Sequence, residues 1–200
     1  FLWRGSLRKG AVDHRTVQLG ARVDGVPVRF DGSWPVLEGF AGLMFVNDRE
    51  VSLRGERATL GGLDVRQLAA DSRARADGVQ DLALSAKLAG SAADALAVLR
   101  HSPLAPFLGA VAEWRLEGST EAEVGVALAL REPLEATVDV DARLGNAALT
   151  IDPGGLEVDA LSGVLRYRSG QGFLGSSLAG RLFGSPVAAS VPDREQPWRV

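Results

Sequence analysis

Two hundred residues, 46% hydrophobic and 24% charged, suffice for one domain with a core and are too apolar for a disordered chain. A net charge of −3, with no stretch that gathers basic side chains, excludes the phosphate-tracking surface of a nucleic-acid binder. The lack of cysteine excludes disulfides, thiolate metal sites and Cys nucleophiles, and no 18-residue apolar run marks a membrane span.

The chain opens at Phe1 with no charged stretch leading into an apolar one, so it reads as a segment of a longer protein. Short runs rich in Leu and Val then predict strands near 2–8, 16–23, 26–31, 38–46, 50–54, 57–60, 63–70 and 79–89. The pairs Asp24-Gly25, Asp31-Gly32 and Asp77-Gly78 supply the reversals, because both residue types tolerate positive φ. Ser91-Ala92-Ala93-Asp94 starts a helix: Ser91 caps the first-turn amides and Asp94 suits the positive end of the helix dipole. Leu96 and Leu99 fall on one face with Ala92 and Ala95, and Ser102-Pro103 ends the turn. The helical insertion covers about 91–109, with Phe107 and Leu108 extending its apolar contact.

Strands resume near 112–119, 122–131, 134–144, 147–151, 156–168, 173–183 and 186–191, with Gly145-Asn146 and Pro153-Gly154-Gly155 as turns. Alternation is sharpest here. Val124, Val126, Leu128 and Leu130 share one face, as do Ala136, Val138, Val140 and Leu144, while Glu135, Thr137, Asp139, Asp141 and Arg143 share the other. One greasy and one wet surface is the mark of an antiparallel sheet. The fold class predicted is mainly β: one long, curved antiparallel sheet over residues 1–200 with a single short amphipathic helix.

Two echoes run through the chain. "GGLDVRQLAADSR" from Gly61 and "GGLEVDALSGVLR" from Gly154 agree at six positions, 93 residues apart (154 − 61). "ARVDGVPV" from Ala21 resembles "GRLFGSPV" from Gly180, each reading as strand, Gly turn, and strand opening on Pro. Echoes at different offsets imply a degenerate repetitive sheet, not a solenoid of fixed period.

Catalytic chemistry finds little support. His14 follows Asp13 and His101 precedes Ser102, but there is no Gly-x-Ser-x-Gly elbow and no nucleophile–base pair. Two isolated His make no zinc site. Glu135, Asp139 and Asp141 lie along a strand, where Ca²⁺ would need a looped cage of oxygens, so a solvated face is the better reading. The glycine pairs lack the Lys-Ser/Thr of a phosphate loop. No cofactor, metal or catalytic residue is expected, and no nucleic acid. What remains is the apolar face, where burying each Leu or Val gains about 1.5–3 kcal/mol. One short helix is too small to cover it, so either the sheet closes on itself or an apolar ligand fills it.

The stretches "FDGSWPVLEGFAGLMFVND", "KLAGSAADALAVLRHSPL", "EWRLEGSTEAEVGVALALREPLEA", "GNAALTI" and "LAGRLFGSPVAAS", in that order, resemble the central region of YhdP-like proteins of the AsmA-like superfamily. The resemblance spans most of the chain. It implies a β-sheet folded lengthwise into a hydrophobic trough, within a large Gram-negative envelope protein. Such a protein is anchored in the inner membrane by an N-terminal helix, reaches across the periplasm and lets phospholipids slide to the outer membrane. It implies no catalytic residues. Acyl chains would lie against the aliphatic face, for which alternation nominates Val124, Val126, Leu128, Leu130, Ala136, Val138, Val140, Leu144, Leu149 and Ile151. Neighbouring segments of the same long chain would be further partners, and membrane contact would come only through other parts of the parent.

Overall fold

The computed structural model describes residues 2–4, 16–29, 32, 34–102, 105, 108–109, 113–130, 135–152 and 154–193. Eleven strands among them form one sheet: β1 (Leu2–Arg4), β2 (Thr16–Val28), β3 (Leu37–Asn47), β4 (Glu50–Leu60), β5 (Leu63–Ala74), β6 (Gln80–Ser91), β7 (Arg115–Leu130), β8 (Glu135–Ile151), β9 (Leu156–Arg168), β10 (Ser177–Leu182) and β11 (Ser185–Ser190). Each strand pairs antiparallel with the next, and β1 and β11 do not meet, so the sheet stays open. One helix, α1 (Ala92–Arg100), stands between β6 and β7.

The strands are fewer and longer than the turn signals predict. Asp24-Gly25 and Gly145-Asn146 are not reversals: each lies inside a continuous strand, at a shift of register. Likewise 50–54 and 57–60 fuse into β4, and 112–119 and 122–131 into β7, which begins only at Arg115. Residues that tolerate positive φ serve turns and β-bulges equally well, and local sequence does not say which. Pro27, inside β2, falls between the paired Val26 and Val28, where the ladder asks no amide of it. The predicted strand at 173–183 shortens to β10, and only residues 2–4 of the one at 2–8 are described.

The bulges follow a rule. Gly39 (φ 59°), Gln67 (φ 52°), Asn146 (φ 49°) and Ala160 (φ 50°) each sit at or beside a register shift, and each is followed at once by a buried apolar residue: Phe40, Leu68, Ala147 and Leu161. An extra residue reverses the alternation, so Leu63 and Val65 before Gln67 share a face with Leu68 and Ala70 after it. The same step keeps Leu144 on the face of Ala147, Leu149 and Ile151. Because a bulge bends its strand, such a series creases the sheet lengthwise. Two apolar clusters mark the crease: Leu37, Phe40, Ala58, Val65, Leu68 and Ala86 on β3–β6, and Ala147, Leu149 and Leu161 on β8–β9.

The first echo is thereby explained. In both copies the Gly-Gly pair is a hairpin turn, the Leu-x-Val opens a strand, and the bulge falls on the same place, Gln67 in one and Ala160 in the other. The second echo is not one structure: 21–28 is bulged strand throughout, whereas Phe183-Gly184 is the turn between β10 and β11.

Helix α1 starts as predicted. Ser91 Oγ accepts from the Asp94 amide at 3.0 Å and donates to the Asp94 carboxylate at 2.6 Å. It ends at Arg100, and of the predicted insertion beyond it residues 103, 104, 106 and 107 lie outside the described residues. Its buried residues are Ala92, Leu96 and Val98, with Leu99 only half-buried. Val98 replaces Leu99 because the Gly61-Gly62 turn lies against that side, where a Cβ on Gly61 would come 2.6 Å from the Val98 methyl. Phe107 falls outside the described residues, and Leu108 is half-buried.

Candidate functional site

The strand pairing turns the alternation into continuous rows. Met44, Leu53, Ala70, Leu84, Val126 and Val138 stand side by side across β3–β8, each opposite the next. A second row carries Val46, Val51, Ser72, Leu82, Leu128 and Ala136, and a third runs Ala86, Val124, Val140 and Tyr167. No charged residue enters these rows.

Of the ten residues nominated from sequence, Val126, Val138 and Leu149 are buried, Val124, Leu128, Val140, Leu144 and Ile151 are half-buried, and Ala136 is exposed. Leu130 ends β7, and its side chain lies outside the described residues. All nine others share the apolar face. Leu149 and Ile151 belong with Leu144 to the cluster at the crease, while the rest line the long arm of β7 and β8. Sequence reading missed Met44, Leu53, Leu82, Leu84 and Tyr167. Each alternates as clearly as Val124, but only the register ties β3–β6 and β9 to the same rows.

The opposite face is ionic. Arg66, Lys87, Glu123, Asp141 and Arg166 form one cross-strand row. Lys87 Nζ lies 3.2 Å from Glu123, and Arg166 Nε lies 3.4 Å from Asp141 Oδ1, an oxygen that is buried without a hydrogen bond. Arg168 donates to the other Asp141 oxygen and, at 3.0 Å, to the Val140 carbonyl. The bond to Asp141 holds the Arg168 pKa above its ordinary value. Asp139 and Arg143 face water as predicted, but Asp141 is half-buried because two guanidiniums enclose it. These side chains rim a recess of about 880 Å³. Exposed pairs of this kind contribute at most about 1 kcal/mol each.

His101 makes no catalytic pair. His101 Nδ1 sits 2.8 Å from the Ala97 carbonyl at the end of α1, and His14 lies outside the described residues. Among the described residues no group of three or more His, Asp or Glu could hold a metal ion. No described helix is long and apolar enough to cross a membrane.

The described residues thus form an open, creased antiparallel sheet with one face free of charge and the other carrying ion pairs. A family model described as "YhdP protein" matches residues 1–197, and the chain belongs to that family. Membership makes it a cell-envelope protein related to lipid transport, in a family not known for enzymes. No curated protein and no solved structure matches the chain.

Proposed function

We propose that this chain is a segment of a bridge-like phospholipid-transport protein of the Gram-negative envelope, lying in the periplasm as part of an inner-membrane-anchored parent. The apolar face solvates acyl chains, headgroups stay in water at the open side, and no bond is made or broken. One observation carries this reading. Leu82, Leu84, Val124, Leu128 and Val140 stand in the middle of an eleven-stranded sheet, yet each is only half-buried. In a sandwich core they would be sealed by a second layer. In these rows Ala70, Ala86, Val126 and Val138 are buried, while Leu53, Leu84 and Val124 beside them are half-buried. Each lipid CH₂ placed against them gains about 0.8 kcal/mol over water.

A second reading, a structural module of the envelope with a closed core, draws on the buried clusters at the crease. Leu128→Asp in the intact protein separates the two. With a photo-crosslinker at Leu84, the open face predicts a phospholipid adduct in the parent protein. It also predicts that the adduct falls at least about tenfold in the variant, while the melting temperature stays near that of the parent. A closed core predicts collapse of the fold, since an unpaired buried charge is not tolerated. Absence of any lipid adduct at Leu84 before substitution would overturn the proposal.

A further inference from the structure

The apolar face is not equally open along its strands, and α1 stands against β6 and β7 toward one end of it. Leu63 opens β5 beside Gly90 of β6, which in turn pairs with Thr120 of β7. Leu63, the first residue of β5, is 2% exposed, and Thr120, well inside β7, is 7% exposed. The buried side of α1 is as dry: Ala92 is 2% exposed, Leu96 4% and Val98 7%. Six to eight residues further along the same strands, Leu82, Leu84 and Leu128 are half-buried.

The positions that allow this are specific. Gly90 has no side chain, and a Cβ there would come 2.8 Å from a Leu63 methyl. Gly62 similarly leaves room for the Asp94 carboxylate, which would stand 2.9 Å from a Cβ at that site. β6 stops at Ser91, opposite Ser119, while β7 begins four residues earlier at Arg115 and pairs on with β8. The resulting step in the sheet is where α1 sits. Arg100 ties its far end back to the chain by donating to the Trp114 carbonyl.

We propose that α1 is a partition in the groove, with Leu96 and Val98 occupying over Leu63, Gly90 and Thr120 the space an acyl chain would otherwise take. Lipid is thereby held to the long arm, against Leu82, Leu84, Val124 and Leu128. The inference rests on the lipid-groove reading and adds a position to it: Val98 and Leu96 set where in the groove a chain lies.

The chain has no cysteine of its own, so an introduced thiol is the only one within it. In the intact protein, Leu128→Cys should react with a maleimide at least about tenfold faster than Thr120→Cys. A photo-crosslinker at position 128 should capture lipid from phosphatidylethanolamine and phosphatidylglycerol vesicles, and one at 120 should not. Adding Val98→Asp should undock α1, raise maleimide reaction at position 120 and bring lipid adducts to 120 while those at 128 persist. If Val98→Asp does not fold, Ser91→Ala, which removes only the cap, should raise labelling of Thr120→Cys several-fold. Equal adducts at 120 and 128 in the parent would overturn the partition and leave the groove standing. So would labelling at position 120 that no α1 variant changes. Adducts at neither position would remove the groove reading itself.

Discussion

Three non-glycine residues hold left-handed backbone at the creases, and they differ in how well they suit it. Asn146 tolerates αL through its short polar side chain, whereas Ala160 gains nothing to offset its Cβ clash. Ala160→Gly should therefore stabilise by about 0.5–1 kcal/mol, the αL strain less glycine's added chain entropy. Ala160→Val should destabilise, and urea midpoints would read both. Gly118, across from the Asn146 bulge at φ 102°, tolerates no such exchange. A Cβ there would lie 2.7 Å from the Ala147 Cα, so Gly118→Ala should cost about 1–3 kcal/mol by the same measurement. On the wet face, Arg54 and then Ser52 donate to Asp71 and lower its carboxyl pKa below the ordinary value. A depressed carboxyl contributes stability that is complete above its unfolded pKa, near 4, and is lost as pH falls toward its folded one. Asp71→Asn should flatten that acid limb by lowering stability in the neutral region, where the carboxylate's contribution is present, and leave the acid end nearly unchanged. An acid limb identical in both proteins would deny Asp71 this part.

At the scale of elements, α1 shows what local sequence encodes well. Ser91 and Asp94 declare its start by chemistry that acts within one turn, and the cap forms as those residues predict. Ser91→Ala should cost about 1 kcal/mol, seen as a loss of thermal stability without loss of β-sheet signal. Its docking side was less legible. Leu99 and Val98 are both apolar, and only the distant Gly61-Gly62 turn selects Val98. The strands divide in the same manner. Alternation over Ala136–Leu144 gave the face correctly because period two needs only adjacent residues. Strand number came out too high, since Asp24-Gly25 and Gly145-Asn146 carry turn chemistry but sit at register shifts inside strands whose pairing continues on both sides. Leu149 and Ile151 reached the right face by way of a turn that does not exist. A bulge at Asn146 performs the same reversal of parity.

For the whole molecule, the division that matters lies between the crease and the long arms, and residues of one type behave differently on the two. Leu68 follows the Gln67 bulge, is buried, and packs in a cluster with Phe40 and Val65, so closely that a Cβ on Gly55 would meet its side chain at 2.9 Å. Leu84 stands one strand away and one row further out, half-buried on the same face and packed against the edge of that cluster. If the crease is the folded core and the arm is a surface kept for apolar cargo, an identical substitution should separate them. Leu68→Asp puts a charge where water cannot follow, and should abolish cooperative folding. Leu84→Asp can turn its carboxylate to solvent, and should change stability by no more than about 1 kcal/mol while reducing lipid capture. A sheet whose apolar face is sealed throughout would respond alike at both positions. Thermal melts of the two variants side by side therefore test the open face without any lipid in the tube, and equal collapse would return Leu84 to the core.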